Sequence, residues 1–215
     1  MHYDTASLRY EVTLEKQSAR LTFDDWLRAR AAGIIQPLAR WLGERRLHPN
    51  TITILGFVMT AGASVIIGTG QLRWGAVAML VASATDALDG TLARITSQQS
   101  RFGAFLDSTL DRLSEGAVLI GLLTWFANQR MAGAAVLTSV VLLGSLMVSY
   151  TRARAEGLGY TCKVGMLTRP MRVILLGFGM LSPWLVPVLV ILAVLTWATS
   201  VQRIVHVYRE SRLNP

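Results

Sequence analysis

Four carboxylates stand close together in a largely apolar part of the chain: Asp86, Asp89, Asp107 and Asp111. A charged group at the centre of a bilayer costs about 3 kcal/mol or more, so such residues are rare and usually functional. Residues three or four apart share one face of a helix, so each aspartate pair lines one helix face. The connector ITSQQSR, residues 95–101, is short and polar and predicts a tight antiparallel turn. The four carboxylates are therefore expected to meet in one pocket.

This donor set indicates a site for a hard divalent cation. Four carboxylates at close range cannot all stay ionised without a counter-charge. Ligands that are all oxygen suit Mg²⁺, Mn²⁺ or Ca²⁺, and the histidines lie outside the cluster, at His2, His48 and His206. The competing interpretation is a set of helix-end ion pairs between the aspartates and Arg94, Arg101 and Arg112.

Small residues lie between and beside the carboxylates, at Gly90, Ala93 and Gly103. A small side chain next to a metal lets a flat or phosphorylated ligand approach the backbone. Their spacing alongside the aspartates therefore favours a binding site over a purely structural set of ion pairs.

The composition points to a membrane protein and away from nucleic acid. Hydrophobic residues make up 52% of the 215, and the net charge is +8. Only Lys16 and Lys163 are lysines among the 21 basic residues, and the arginines stand at the ends of apolar runs rather than in a water-facing stripe. Cys162 is the single cysteine, which excludes an intramolecular disulfide and a cysteine-based zinc site. No cleaved signal peptide is expected, because the first 26 residues are rich in charge.

Hydropathy predicts an all-α, polytopic membrane protein with six transmembrane helices. Residues 50–72 and 131–151 carry no charge and are long enough to cross a bilayer. A second span is expected from Trp74 to about Asp89, and a third over 102–128. Residues 173–202 would form a rod of about 45 Å, so Pro183 and Pro187 are expected to divide them into the fifth and sixth spans.

An amphipathic helix is predicted ahead of the spans, because apolar residues recur there at helical spacing with arginines between them. Such a helix would lie in the membrane interface; the alternative is a soluble helix packed on the domain. The predicted organisation is a polar segment over 1–22, the interfacial helix over 23–48, a catalytic membrane domain over 49–208 and a tail over 209–215.

The positive charges predict the orientation. With the N-terminus inside the cell, the outer loops hold only Arg73 and Arg130. The remaining loop and tail charges fall inside, as the positive-inside rule requires: Arg94, Arg101, Arg152, Arg154, Lys163, Arg169, Arg172, Arg203, Arg209 and Arg212. Both termini and the aspartates are therefore expected on the cytoplasmic side of the cell inner (plasma) membrane.

The complete pattern resembles the signature of the CDP-alcohol phosphotransferases. It reads Asp86-x2-Asp89-Gly90-x2-Ala93-Arg94-x8-Gly103-x3-Asp107-x3-Asp111. The resemblance implies six transmembrane helices behind an amphipathic helix. It also implies that a CDP-linked lipid, CDP-diacylglycerol or an ether-linked equivalent, donates its phosphatidyl group to an alcohol and that CMP leaves.

The resemblance also implies roles for single residues. Four aspartates would bind Mg²⁺ or Mn²⁺, with two ions expected: Asp86, Asp89, Asp107 and Asp111. Asp111 would be a further ligand or the catalytic base. The nucleotide would contact Asp86, Gly90, Ala93, Arg94, Gly103 and Asp107. Two metals can neutralise a pyrophosphate, and an aspartate can take the proton of the acceptor hydroxyl. Whether one ion or two is bound, and which aspartate is the base, stays open.

Three further stretches resemble the phosphatidylinositol-phosphate synthases of this family: SYTRARAEGLG (149–159), LTRPMR (167–172) and SVQRIVHVYR (200–209). They imply inositol phosphate as the acceptor, with its phosphate bound by arginines, which form strong charge-assisted bonds to phosphate. The candidates are Arg152, Arg154, Arg169, Arg172 and Arg203. The stretch YTCKVGM (160–166) departs from the pattern, as do Thr168 and Met171 at positions that are acidic in the family. Glycerol 3-phosphate and serine are the alternative acceptors, and inside-positive topology alone is the other explanation of the arginines.

Two other classes compete with an enzyme. A transporter or proton relay also places carboxylates in membrane helices, but it usually has internal repeats and sites at the bilayer midplane, which this sequence does not suggest. A membrane scaffold is the second. Its support is the small-residue pattern GASVIIGTG over 62–70, which also predicts helix contact in a homodimer.

Overall fold

A computed structural model describes residues 23–45 and 47–213, which form seven helices and contain no strand. The helices are α1 (Phe23–Glu44), α2 (Pro49–Gly68), α3 (Leu72–Ile95), α4 (Arg101–Asn128), α5 (Ala132–Gly157), α6 (Arg169–Leu181) and α7 (Leu185–Leu213). The predicted all-α class is confirmed for this part of the chain. The polar segment predicted over 1–22 lies outside the described residues, as do the last two residues of the predicted tail.

Short connections between helices set the topology around the aspartates. Pro49 begins α2 behind His48, whose Nδ1 accepts a hydrogen bond from the Asn50 backbone N–H at 3.2 Å. Ser100 caps α4, since its Oγ accepts the Gly103 N–H at 2.9 Å. The turn between α2 and α3 uses Gly70 at a φ of +92°, which favours glycine. With these capped ends and tight turns, α3 runs antiparallel to α2 and α4, and α2 packs against both of the aspartate-bearing helices, α3 and α4.

Four helices in the described part of the chain are long and apolar enough to cross a membrane. They span Pro49–Gly68, Leu72–Ile95, Ala132–Gly157 and Leu185–Arg212. Helix α4 has the length but carries several charges in its first half. Helix α6 has only 13 residues, about 20 Å at 1.5 Å per residue, which is short of a bilayer core of about 30 Å. Six spans therefore stay a prediction.

The predicted break near the prolines is confirmed. Helix α6 ends at Leu181 and α7 begins at Leu185, so Pro183 lies between them. Pro187 falls within the first turn of α7, where a missing N–H costs no helical hydrogen bond.

Close helix contacts at glycines hold the bundle together. A Cβ added at Gly121 of α4 would lie 2.4 Å from the Ser64 carbonyl of α2, and one at Gly144 of α5 would lie 2.4 Å from Thr196 Oγ1 of α7. Larger side chains there would force each pair of helices apart. Apolar side chains fill the space between the helices, among them Phe126, Ile67, Leu119, Leu122 and Leu189. The result is a rigid frame beneath the aspartates.

Helix α1 corresponds to the helix predicted over 23–48, although it ends at Glu44. It packs against α3, where Ala39 and Leu92 are fully buried in a small cluster of their own. This packing places α1 beside the end of α3 that carries Asp86 and Asp89.

Candidate active site

The structure brings all four aspartates of the sequence pattern to the wall of one large cavity. Asp86 and Asp89 come from the C-terminal half of α3, and Asp107 and Asp111 from the N-terminal half of α4. The short turn between these helices and their common neighbour α2 place the two carboxylate faces on the same cavity. The four aspartates therefore line one pocket, as the sequence predicts.

Asp89 is held by a residue that the sequence analysis did not identify. Thr53 of α2 donates its hydroxyl to Asp89 Oδ2 at 2.6 Å, and both side chains are almost fully buried. The same hydroxyl lies 3.2 Å from the Pro49 carbonyl. The bond fixes one carboxylate oxygen of Asp89 in the wall of the cavity. A threonine one turn into an apolar span was the available signal, but its partner is 36 residues away.

Arg169 joins the two aspartate-bearing helices. Its Nη1 donates to Asp86 Oδ2 at 2.6 Å and lies 2.7 Å from Asp111 Oδ1. The guanidinium thus occupies the space between the two carboxylates. Its Nε is buried and makes no hydrogen bond within the described residues. A side chain from the first residue of α6 therefore supplies positive charge at the centre of the cavity.

The alternative prediction, in which the aspartates form helix-end ion pairs with Arg94, Arg101 and Arg112, agrees only in part with the contacts observed. Arg112 Nη1 lies 3.7 Å from Asp111 Oδ2 and donates to the Ser108 carbonyl. Arg94 bonds to Thr91 Oγ1 at 3.3 Å, within its own helix. The shortest aspartate–arginine contacts come instead from Arg169, which is 83 residues from Asp86.

A second, more deeply buried ion pair lies one helical turn from the aspartates. Glu115 accepts two hydrogen bonds from Arg172, from Nε at 2.6 Å and from Nη2 at 2.7 Å. The side chains are only 8% and 4% exposed. Glu115 has no predicted role from the sequence, although it stands four residues after Asp111 on the same face of α4.

The residues predicted to contact a nucleotide also line the cavity: Gly90, Ala93, Arg94 and Gly103. A Cβ at Gly90 would meet nothing within 4 Å, so the backbone there is open to a ligand. A Cβ at Gly103 would lie 3.0 Å from Ser100 Oγ and 3.1 Å from Asn50 Oδ1. Gly103 therefore lets the α4 cap and the start of α2 approach each other beside the cavity.

Four of the five arginines predicted to bind an acceptor phosphate line the same cavity: Arg152, Arg169, Arg172 and Arg203. The fifth, Arg154, does not line it. Arg152 forms an exposed ion pair with Glu156 at 2.8 Å. Arg203 donates through Nε to the Val164 carbonyl at 2.9 Å and through Nη1 to the Val148 carbonyl. Arg203 thereby ties the loop between α5 and α6 to α7.

The donor set suits a hard divalent cation, because every acidic side chain facing the cavity offers carboxylate oxygen. In the arrangement seen over 23–45 and 47–213, no three His, Cys, Asp or Glu side chains converge closely enough to hold one ion. Arg169 stands between the carboxylates of Asp86 and Asp111. An ion bound by both of those oxygens would have to displace its guanidinium.

Comparison with known proteins identifies close relatives. Residues 46–207 match the family described as CDP-alcohol phosphatidyltransferase. Archaetidylinositol phosphate synthase of Methanothermobacter thermautotrophicus is 38% identical over 169 residues, which cover 76% of this chain and 84% of the relative. Phosphatidylinositol phosphate synthase of Streptomyces avermitilis is 35% identical over 201 residues, covering 86% and 82% respectively.

Solved structures show the same fold. The crystal structure of Mycobacterium tuberculosis phosphatidylinositol phosphate synthase with CDP-DAG bound matches with a TM-score of 0.78 and 36% identity, over 82% of this chain and 94% of that one. The structure of the same enzyme in complex with manganese and citrate also has a TM-score of 0.78, at 35% identity, over 81% and 89% of the two chains.

Proposed function

The chain belongs to the CDP-alcohol phosphatidyltransferase family, and we propose that it transfers a phosphatidyl group from CDP-diacylglycerol to inositol phosphate and releases CMP. The observation that carries this proposal is one cavity lined by both aspartate pairs, by the open backbone at Gly90 and by Arg169. The names of the relatives support the acceptor. An archaetidyl-transferring relative at 38% identity keeps a CDP-linked ether lipid as the alternative donor.

Metal binding is proposed for the four aspartates: Asp86, Asp89, Asp107 and Asp111. Mg²⁺ or Mn²⁺ fits their oxygen donors, and a manganese complex of the M. tuberculosis enzyme supports this choice. When bound, two such ions would neutralise the pyrophosphate of the donor and stabilise the departing phosphate oxygen. Thr53 would keep Asp89 oriented for this task, since it holds one carboxylate oxygen.

The remaining steps belong to the side chains. Gly90, Ala93 and Gly103 would leave room for the cytidine diphosphate, and Arg94 would contact its phosphates. Asp111 would take the proton of the acceptor hydroxyl while that oxygen attacks the phosphorus nearer the lipid. The new P–O bond forms as the bond to the CMP oxygen breaks, and CMP leaves as the phosphate monoester.

The acceptor phosphate would be bound by arginines on the α6 side of the cavity. Arg169 is proposed as the direct ligand, with Arg152 as a second, more exposed one. Arg172 and Arg203 would act from behind, because Glu115 and backbone carbonyls already engage their guanidinium groups. Arg154 would contribute only if the end of α5 moved, since it does not line the cavity.

We further propose the membrane arrangement that the charge distribution predicts. Helices α2 to α7 would make six spans, with α1 in the interface and both termini and the active site on the cytoplasmic side of the cell inner (plasma) membrane. The proposed organisation is a polar segment over 1–22, the interfacial helix over 23–48, the catalytic membrane domain over 49–208 and a tail over 209–215. A homodimer contact is proposed at 62–70, where Gly62 is exposed and a Cβ would meet nothing within 4 Å.

The proposed reaction is tested by CMP release. Purified protein in detergent is given CDP-diacylglycerol, Mg²⁺ or Mn²⁺, and inositol phosphate, glycerol 3-phosphate or serine in turn. We expect CMP with inositol phosphate, and we expect Asp111→Asn to lower turnover by roughly a hundredfold or more, the usual contribution of a general base. CMP with glycerol 3-phosphate alone would assign a phosphatidylglycerophosphate synthase instead. No CMP with any acceptor would contradict the proposal and leave the transporter and scaffold alternatives.

A further inference from the structure

A buried ion pair in the wall of the cavity links α4 to α6. Glu115 and Arg172 are joined by two hydrogen bonds of 2.6 and 2.7 Å and are nearly inaccessible to solvent. Helix α6 packs mainly against α3 and α7, whereas its contact with α4 is slight. Long side chains therefore make the connection between these two helices.

The Glu115–Arg172 pair lies about one helical turn from the Asp111–Arg169 contact along both helices. Glu115 follows Asp111 by four residues on α4, and Arg172 follows Arg169 by three on α6, so each pair of neighbours shares a helix face. Asp111 with Arg169 and Glu115 with Arg172 thus form two successive cross-links between the same two faces. Both pairs line the cavity, but Glu115 with Arg172 is the less exposed of the two.

We propose that Glu115 is a positioning residue for the transfer reaction. Its two hydrogen bonds with Arg172 fix the rotation of α6 so that Arg169 faces Asp86 and Asp111. This inference rests on the proposed function, in which Arg169 binds the acceptor phosphate. Glu115 itself touches neither substrate.

The position of Arg169 explains why the rotation of α6 needs a restraint. Arg169 is the first residue of α6, and the loop before it, residues 158–168, has no helix or strand to define its direction. Pro170 has no backbone N–H with which to restrain the turn. The planar guanidinium of Arg172 against a carboxylate defines both a distance and an angle. Rotation of α6 is thereby set one turn away from the side chain that uses it.

Stability alone does not require an ion pair here. Replacing a buried ion pair by well-packed apolar residues is often neutral or stabilising, whereas removing one partner leaves a costly unpaired charge. Without the Glu115 carboxylate, Arg172 would turn to the next carboxylate along α4, which is Asp111. It would then compete with Arg169 for its partner in the cavity.

The test compares two variants of the full-length protein in detergent. Glu115→Gln removes the charge at constant shape, and the double variant Glu115→Met with Arg172→Met replaces the pair with apolar side chains of similar length. In both we expect the KM for inositol phosphate to rise about tenfold, the equivalent of losing one charge-assisted contact, and the KM for CDP-diacylglycerol to change less than about twofold. Calorimetric binding of inositol phosphate in the presence of Mn²⁺ should weaken by the same factor.

Two controls separate positioning from folding. Phe126→Leu, in the buried far half of α4, should lower the melting temperature and leave both KM values unchanged. Arg169→Gln should weaken inositol phosphate binding in the wild-type background but add little in the double methionine variant, because residues that act together are not additive.

Wild-type affinity for inositol phosphate in a folded double methionine variant would overturn the inference, as would full additivity with Arg169→Gln. If the double variant does not fold, an unchanged acceptor KM in Glu115→Gln overturns it equally. If the wild type uses glycerol 3-phosphate instead, the acceptor assignment falls and the same KM comparison with that acceptor decides the role of Glu115. A wild type that uses no acceptor refutes both proposals.

Discussion

In this structure, the positive charge beside Asp86 and Asp111 is the guanidinium of Arg169. Its Nη1 contacts carboxylate oxygens of Asp86 and Asp111 at 2.6 and 2.7 Å, the oxygens that a divalent ion between them would need. Two unit charges 4 Å apart interact by about 4 kcal/mol at the effective dielectric constant of a protein surface. A divalent ion bound between them would therefore compete with this guanidinium for the same carboxylates.

Removal of this internal competitor should strengthen metal binding. We expect Arg169→Gln to raise the affinity for Mn²⁺ about tenfold, as about 1.4 kcal/mol of competition would give, while lowering turnover. Free Mn²⁺ measured by electron paramagnetic resonance reports the affinity without reference to activity. Arg209→Gln removes the same charge from the exposed end of α7 and should leave it unchanged. Equal or weaker Mn²⁺ binding in Arg169→Gln would contradict the competition.

At this scale the sequence predicted what depends on local spacing. The convergence of the aspartates follows from helical periodicity and one short turn. The contacts of Thr53 with Asp89 and of Arg169 with Asp86 depend on packing between residues 36 and 83 apart, which no local pattern encodes. Arg172 was predicted to bind phosphate because its charge was visible, whereas its buried partner Glu115 could be recognised only in three dimensions.

At the level of helices, the end of α4 is a place where the backbone is strained. Arg130 has a φ of +57°, and its N–H bonds to the Ala127 carbonyl while the Met131 N–H reaches the Phe126 carbonyl. This is the left-handed position after a helix that glycine fills most readily, since a side chain there costs roughly 1–2 kcal/mol.

Glycine at this position should therefore stabilise the protein. We expect Arg130→Gly to raise the free energy of unfolding by about 1 kcal/mol, seen as a higher melting temperature in detergent. Gln129→Gly is the matched control: its φ of −80° suits any residue, so glycine there should lower stability slightly. A lower melting temperature for Arg130→Gly would show that the Arg130 side chain makes a compensating contact.

Helix existence was largely predictable. Uncharged runs located α2, α5 and α7, and Pro183 located the break before α7. The division of 173–202 at Pro183 also predicted a short fifth helix, and α6 ends at Leu181 as that division requires.

For the whole molecule, the proposed orientation can be measured directly. The outer connection at Gln129 and the inner loop at Lys163 are both exposed. In a Cys162→Ala background, a cysteine at Gln129 should react with a membrane-impermeant maleimide in intact cells, and one at Lys163 only after lysis. The reverse pattern would contradict the positive-inside assignment, and reaction of both would show that the label crosses the membrane.

The hydrogen bond between Arg203 and the loop that joins α5 to α6 has a consequence for biosynthesis. A nascent chain that has inserted α3 and α4 already possesses every aspartate of the cavity. The loop that leads to Arg169, however, gains its hydrogen bond to Arg203 only after residue 203 has been synthesised. The helices that carry the aspartates can thus fold together before the Arg169 side of the cavity is anchored, so this side of the pocket is completed last during synthesis of residues 23–213.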